Sequence, residues 1–309
     1  MNRTILVPLD GSSFGEHALP IALGIARTQG AVVELVHVCS PNERHAAARE
    51  SAFFEHAPGV SARLDALAYL RDMATVLGET WEIPISAHVL QGTTVATLVT
   101  HIHHHPQINL VVMTTHGYGP LNRIWLGSVA DALVRELRVP MVLVRPNAMR
   151  SDVLERVHER PFHHVLLPLD GSSRGEAIIP AALQVGQPMN ARYTLLQAVP
   201  PLINGVMPSH DPQDGARLAQ WRANARSYLN GVAGRMCNAG VDVATAVRYG
   251  LPHEVIISFA RDHGVDLVAM TTHGHGGLAR LLMGSVARQV ITHSTLSVML
   301  YRPALLEGQ

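Results

Sequence analysis

Two short segments of the 309-residue chain carry residue types that can grip an anion, and each occurs twice. The first is Pro8-Leu9-Asp10-Gly11-Ser12-Ser13, copied at Pro168–Ser173. The second is Thr114-Thr115-His116-Gly117, nine residues, then Gly127-Ser128; its copy is Thr271-Thr272-His273-Gly274, nine residues, then Gly284-Ser285. Glycine lets backbone approach a ligand closely and adopts positive φ without strain. A Gly-Ser pair opening a helix presents free N–H groups at the positive end of the helix dipole. Ser128 and Ser285 can cap that helix or donate to an anion. Arg123 and Arg280 are the matched cations nearby and would supply charge to a phosphate. The same residues also describe an ordinary strand exit and helix start. Retention of loop, spacing and serine in both copies favours a phosphate cradle.

Composition excludes several other chemistries. All 24 basic residues are arginine, so no lysine can serve on a nucleotide phosphate, in a Schiff base or as a general base. The 24 acidic residues bring the net charge to zero, which removes the electrostatic case for binding nucleic acid or a membrane surface. No apolar run approaches the ~18 residues of a membrane span, and the opening MNRTILVPLD is unlike a secretory signal. The cytoplasm is the expected compartment. Cys39 and Cys237 make neither a disulfide framework nor a zinc site. GHGGLA at 274–279 nearly matches a dinucleotide fingerprint, but it lacks a ribose-binding acid ~20 residues on.

Acid–base and metal chemistry have thin support. Asp10 and Asp170 are the only acids matched in both copies beside these loops, where they would approach a bound Mg²⁺. With no second acid, efficient hydrolysis is not expected. Among 19 histidines, His101, His103, His104 and His105 precede Pro106 and read as a solvated helix end. His101 and His105 share a helix face, which would also suit an adventitious zinc or nickel ion. His163 and His164 read as linker residues, whereas His116 and His273 sit in the phosphate-type loop.

These loops need elements to hold them, and a repeat supplies those elements. ILVPLDGSSFGE at 5–16 returns as VLLPLDGSSRGE at 165–176, and VMTTHGYGPLNRIWLGSVA at 112–130 returns as AMTTHGHGGLARLLMGSVA at 269–287. The halves end on VPMVLVRP and LSVMLYRP. We therefore read residues 1–146 and 163–309 as two copies of one domain, joined by a polar linker at 147–162. In the first copy, apolar runs at 3–9, 31–38, 83–90, 108–114 and 140–145 have strand length. Helical spacing covers 14–28, 60–78, 93–104 and 127–138. The second copy has strands at 162–169, 191–199, 241–248, 265–271 and 296–302, with helices near 174–187, 212–238, 252–263 and 284–294. Alternating strands and helices with near-continuous apolar strands predict an α/β fold: two tandem doubly wound domains, each a five-stranded parallel sheet covered by helices on both faces. Ligands in such sheets sit beyond the carboxyl ends of the strands, where both loops fall.

The VPLDGS opening and the strand-four signature resemble those of the universal stress protein family, over essentially the whole chain in tandem. ATP-binding members carry Gly, two residues, Gly, nine residues, then Gly-Ser or Gly-Thr. The second and third glycines match Gly117 and Gly127, and Gly274 and Gly284; Thr114 and Thr271 replace the first. The resemblance implies strand order 3-2-1-4-5. It places adenine and ribose near Pro8, Asp10 and Val38, and near Pro168, Asp170 and Ala198. Phosphates would lie over Gly117, Gly127, Ser128 and Val129, and over Gly274, Gly284, Ser285 and Val286, with the threonine hydroxyls standing in for a backbone contact. It implies ATP, or ADP or AMP, as ligand, and a stress-response module with at most weak ATPase activity. The two domains are expected to pair through 140–145 and 296–302, with further homodimerisation open. A regulatory interaction protein of the same fold with no nucleotide is the alternative. Copy two keeps Gly250-Leu251-Pro252-His253-Glu254 and Asp266-Leu267, and has Gly277 where copy one has the more restricted Pro120, so it is the expected stronger phosphate site.

Overall fold

The computed structural model describes residues 3–39, 62–115, 126–145, 160–199, 212–273 and 283–303. The chain divides into two compact units, 1–161 and 162–309.

The first unit runs β1 (Thr4–Pro8), α1 (Ser13–Glu16), α2 (Leu19–Gln29), β2 (Val32–Cys39), α3 (Ala62–Trp81), β3 (Ile85–Gln91), α4 (Thr94–His104), β4 (Ile108–Thr114), α5 (Ser128–Glu136) and β5 (Met141–Val144). The second runs β6 (His164–Pro168), α6 (Ser173–Glu176), α7 (Ile179–Gly186), β7 (Arg192–Val199), α8 (Pro212–Cys237), β8 (Val243–Tyr249), α9 (Pro252–Asp262), β9 (Leu267–Thr271), α10 (Ser285–His293) and β10 (Ser297–Tyr301). Every pairing within a unit is parallel. The first sheet has the order β3-β2-β1-β4-β5 and the second β8-β7-β6-β9-β10, so each is 3-2-1-4-5 in its own numbering. The reversal of strand order falls between the first and fourth strands, and both anion-type loops leave from those two strands.

Burial follows the patterning. Consecutive residues Ile5-Leu6-Val7 and Val165-Leu166-Leu167 are wholly buried, as a parallel strand covered on both faces requires. Helices contribute one apolar stripe each, such as Ala130, Leu133 and Val134 of α5, and Ala287, Val290 and Ile291 of α10.

The helices expected at 14–28 and 174–187 are each split in two. Pro20 and Pro180 lie within the first two residues of α2 and α7. A proline there cannot donate to the carbonyl four residues back, and its ring clashes with that carbonyl, so α1 and α6 stop after one turn. Two histidine readings also change. His164 is not a linker residue but opens β6 and is buried. Its Nδ1–H donates to the His263 carbonyl (3.2 Å), and its Nε2 accepts from the Thr194 hydroxyl (2.8 Å). Burial, reinforced by the Arg192 charge, holds its pKa below the ordinary value. His101 does not end a solvated helix. Its Nε2–H donates to the buried Glu34 carboxylate at 2.5 Å, while His103 and His104 are exposed. His88 Nε2 lies 4.0 Å from the same oxygen.

Candidate functional site

The first loop leaves β1 and β6 still paired, because Leu9 and Leu169 N–H donate to Val36 and Leu196 carbonyls at 2.8 Å. The chain then turns through Gly11 and Gly171, whose φ of +79° and +88° suit only glycine without strain. The aspartate before each glycine folds back. Asp10 Oδ1 accepts from Ser12 N–H (3.0 Å) and from the Ser12 hydroxyl (2.6 Å); Asp170 does the same with Ser172 (3.1 and 2.6 Å). Ser12 and Ser172 in turn cap α1 and α6 by accepting from Gly15 and Gly175 N–H at 3.2 and 3.0 Å. One oxygen of each aspartate is therefore a latch within its own loop. A Cβ on Gly15 or Gly175 would meet that oxygen at 2.7 or 2.6 Å. Ser12 and Ser172, read in the sequence only as members of the loop, and Gly15 and Gly175, not singled out there, set the loop's shape, which the Asp-Gly-Ser and Ser-x-x-Gly spacings signalled.

The second loop leaves β4 and β9. Thr115 and Thr272 N–H extend the sheet to the Val144 and Tyr301 carbonyls (2.8 and 2.9 Å). Their own carbonyls accept from Gly127 and Gly284 N–H (2.7 and 2.8 Å). That pair of bonds brings the start of α5 or α10 back beside the strand end. The helix caps are Gly127 and Gly284, in extended conformation, and no side chain caps either helix. Ser128 and Ser285 thus do not cap; each is the first helical residue and is exposed, as Val129 and Val286 beside them are partly. Among the described residues no side chain takes the early helical N–H groups, a setting that suits an anion as acceptor. A Cβ on Gly284 would come within 2.9 Å of the Thr272 carbonyl, so glycine is needed for this close approach.

Electrostatics separate the two helix starts. The first turn of α5 holds Asp131, paired with Arg135 at 2.6 Å. The equivalent residue of α10 is Arg288, and its first turn has no acid. The second unit therefore presents the more anion-friendly dipole end.

A cleft of about 470 Å³ opens at the carboxyl ends of β6 and β7. It is lined by Asp170, Gly171, Gln197, Ala198, Val199 and Pro252, with Trp221, Asn224, Ala225 and Tyr228 of α8 as the opposite wall. This volume is in the range of small-molecule sites. Burial and the Glu176 charge raise the Tyr228 pKa well above the ordinary tyrosine value, so this wall is uncharged.

Of the residues singled out from the sequence, the structure brings Asp170 and Ala198 together in this cleft. Pro8 and Pro168 end their strands, partly exposed, and Val38 is buried in β2. Thr114 and Thr271 are buried at the ends of β4 and β9. The Thr271 hydroxyl donates to the His273 carbonyl at 2.8 Å. His273 Nδ1 lies 3.0 Å from the Thr272 hydroxyl. Gly117, Arg123, Gly274, Arg280 and His116 lie outside the described residues. Trp221, Asn224 and Gln197 were missed, because nothing in their spacing marks them until α8 is laid against β7. Among the described residues no group of three or more metal-ligating side chains forms a metal site, and no helix is long and apolar enough to cross a membrane.

The universal stress protein family model matches residues 1–145 and 161–302. A universal stress protein of Mycolicibacterium smegmatis is 26% identical over 301 residues, covering 97% of each chain. Universal stress protein MJ0577 of Methanocaldococcus jannaschii is 32% identical over 78 residues, 25% of this chain; the match spans about half, 48%, of that relative. The crystal structure of a universal stress protein from Archaeoglobus fulgidus has a TM-score of 0.67 at 17% identity, covering 97% of this chain and 98% of that one, a likeness of fold.

Proposed function

The chain belongs to the universal stress protein family, and from that premise we propose that its units bind adenine nucleotide, ATP or its ADP and AMP relatives, with Mg²⁺ as an accompanying ion. Nucleotide acts as a ligand that biases the protein's conformation and partners, with at most slow hydrolysis. One observation carries this reading. The 470 Å³ cleft of the second unit lies at the carboxyl ends of the first two strands and is lined by Asp170 and Ala198, the residues where the family resemblance puts the nucleoside. The glycine-capped starts of α5 and α10 support it, since their N–H groups have no side-chain cap. Phosphates are assigned to the backbone of Gly127, Ser128 and Val129 and of Gly284, Ser285 and Val286, together with the loops holding Gly117 and Gly274. Arg123 and Arg280 are assigned as their counter-charges.

The test is native mass spectrometry of freshly purified protein, then denaturation and identification of any released molecule, with calorimetric titration by Mg-ATP alongside. Nucleotide at one or two per chain is the expected result, and the Gly117→Val/Gly274→Val double variant should lose it. Protein that carries no nucleotide and gives no heat with Mg-ATP overturns the reading. That outcome would leave a regulatory interaction module of the same fold.

A further inference from the structure

Trp221 is 39% exposed and lines the second unit's cleft. Among the described residues it has no ring partner, although ring contacts occur elsewhere in the unit, as between Phe259 and His263 at 3.8 Å. Beside it in the same cleft, the half-buried Gln197 places a side-chain amide. A primary amide can both donate to and accept from the polar edge of a ring. An apolar face open to a cleft with an amide beside it suits a planar heteroaromatic ring with polar edges.

We propose that Trp221 is the stacking platform for the ligand's base in the second unit, so that this unit is selective for ligands carrying a planar heteroaromatic ring. The inference rests on the nucleotide reading and goes beyond it by assigning base recognition to one residue of one unit. Among the described residues, the first unit has no counterpart at this helix position. The Tyr69 hydroxyl donates to Glu16 at 2.8 Å, and Tyr228 sits in the charge field of Glu176, so the two tyrosines align the long helices. In that alignment Trp221 matches Ala62. The two units therefore differ at this helix position although they share the Asp-Gly-Ser loop. Trp221 is a binding residue in this assignment, with no role in bond making or breaking.

The experiment titrates the full chain, as wild type, Trp221→Ala and Trp221→Phe, with ATP and separately with inorganic tripolyphosphate, which has the phosphates but no base. Aromatic–base stacking predicts that Trp221→Ala weakens the tighter ATP site about ten- to hundred-fold. Trp221→Phe should retain most of the affinity, and tripolyphosphate should bind all three proteins alike. Equal ATP affinity in wild type and Trp221→Ala overturns the assignment, as does an equal loss for ATP and tripolyphosphate, which would mark a general disturbance of the cleft. Wild-type protein that binds no ATP refutes the nucleotide reading itself, and this inference falls with it. Alanine favours helix at an exposed α8 position, and the phenylalanine variant provides a second reading should the alanine variant misfold.

Discussion

Replacing Gly15 with alanine tests whether the aspartate latch shapes the ligand-facing loop. The new Cβ would lie 2.7 Å from Asp10 Oδ1, about 0.7 Å inside ordinary van der Waals contact. The carboxylate cannot swing freely, since that oxygen holds both Ser12 N–H and the Ser12 hydroxyl. Moving it by that distance breaks at least one hydrogen bond to a charged acceptor in a part-buried setting, a loss of ~2 kcal/mol. For a unit of this size that corresponds to a fall of ~4–8 °C in the unfolding midpoint. The assay is calorimetric unfolding of the full chain carrying Gly15→Ala, Asp10→Ala or both. If the alanine acts by displacing Asp10, the double variant should be about as stable as Asp10→Ala alone, a coupling of ~1–2 kcal/mol. A double variant whose loss equals the sum of the singles, or a Gly15→Ala protein with an unchanged midpoint, would show that the latch is not what confines Gly15.

Three further outcomes are expected. His164 is buried as the neutral ring, with its pKa lowered by desolvation first and by Arg192 next. Below about pH 6.5 the unfolded chain takes up a proton that the folded chain refuses, so stability should fall by up to ~1.4 kcal/mol per pH unit until the folded pKa is reached. Denaturant unfolding at several pH values should show this slope, and His164→Asn should flatten it. Glu34→Ala strands the His101 Nε2–H in a buried site and should cost ~1–3 kcal/mol, whereas Glu34→Gln keeps an acceptor and should cost less; urea midpoints of both variants give the comparison. In Gly186→Ala the Cβ would meet Tyr193 Oη at 2.5 Å and Ala191 Cβ at 3.2 Å, an overpacking of ~1–3 kcal/mol that Tyr193→Phe should relieve in part, read from the same midpoints.

Much of the architecture was legible because the chain states it twice. Apolar runs of strand length and the repeated loops put every strand within about three residues of its place, and fixed the parallel, two-faced sheets. The breaks in the first helices were missed, although Pro20 and Pro180 stand where a continuous helix needs a donor. The Asp10 and Asp170 latches were half legible: the Asp-Gly-Ser spacing signals a local turn, yet the same aspartates invite a ligand reading. What could not be read was side-chain company across long separations. His101 looks like a surface residue until α4 is set over β2, where Glu34 waits 67 positions away. Trp221 looks like one more residue of a basic helix until α8 closes one wall of a cleft built from β6 and β7. Periodicity reports which face of an element is buried, but it does not report which neighbour that face will meet.

The aspartate latch bears on how genetic damage at this edge of the sheet should be interpreted. Alanine at Asp10 or Asp170 removes a possible ligand contact and, in the same stroke, releases the serine that caps the next helix. A null phenotype from such an allele would say nothing about which of the two was lost. Asparagine leaves an oxygen able to receive both serine donors while discarding the charge. An asparagine allele that keeps its loop yet fails in the cell would therefore point to the carboxylate's charge, and an alanine allele alone never can.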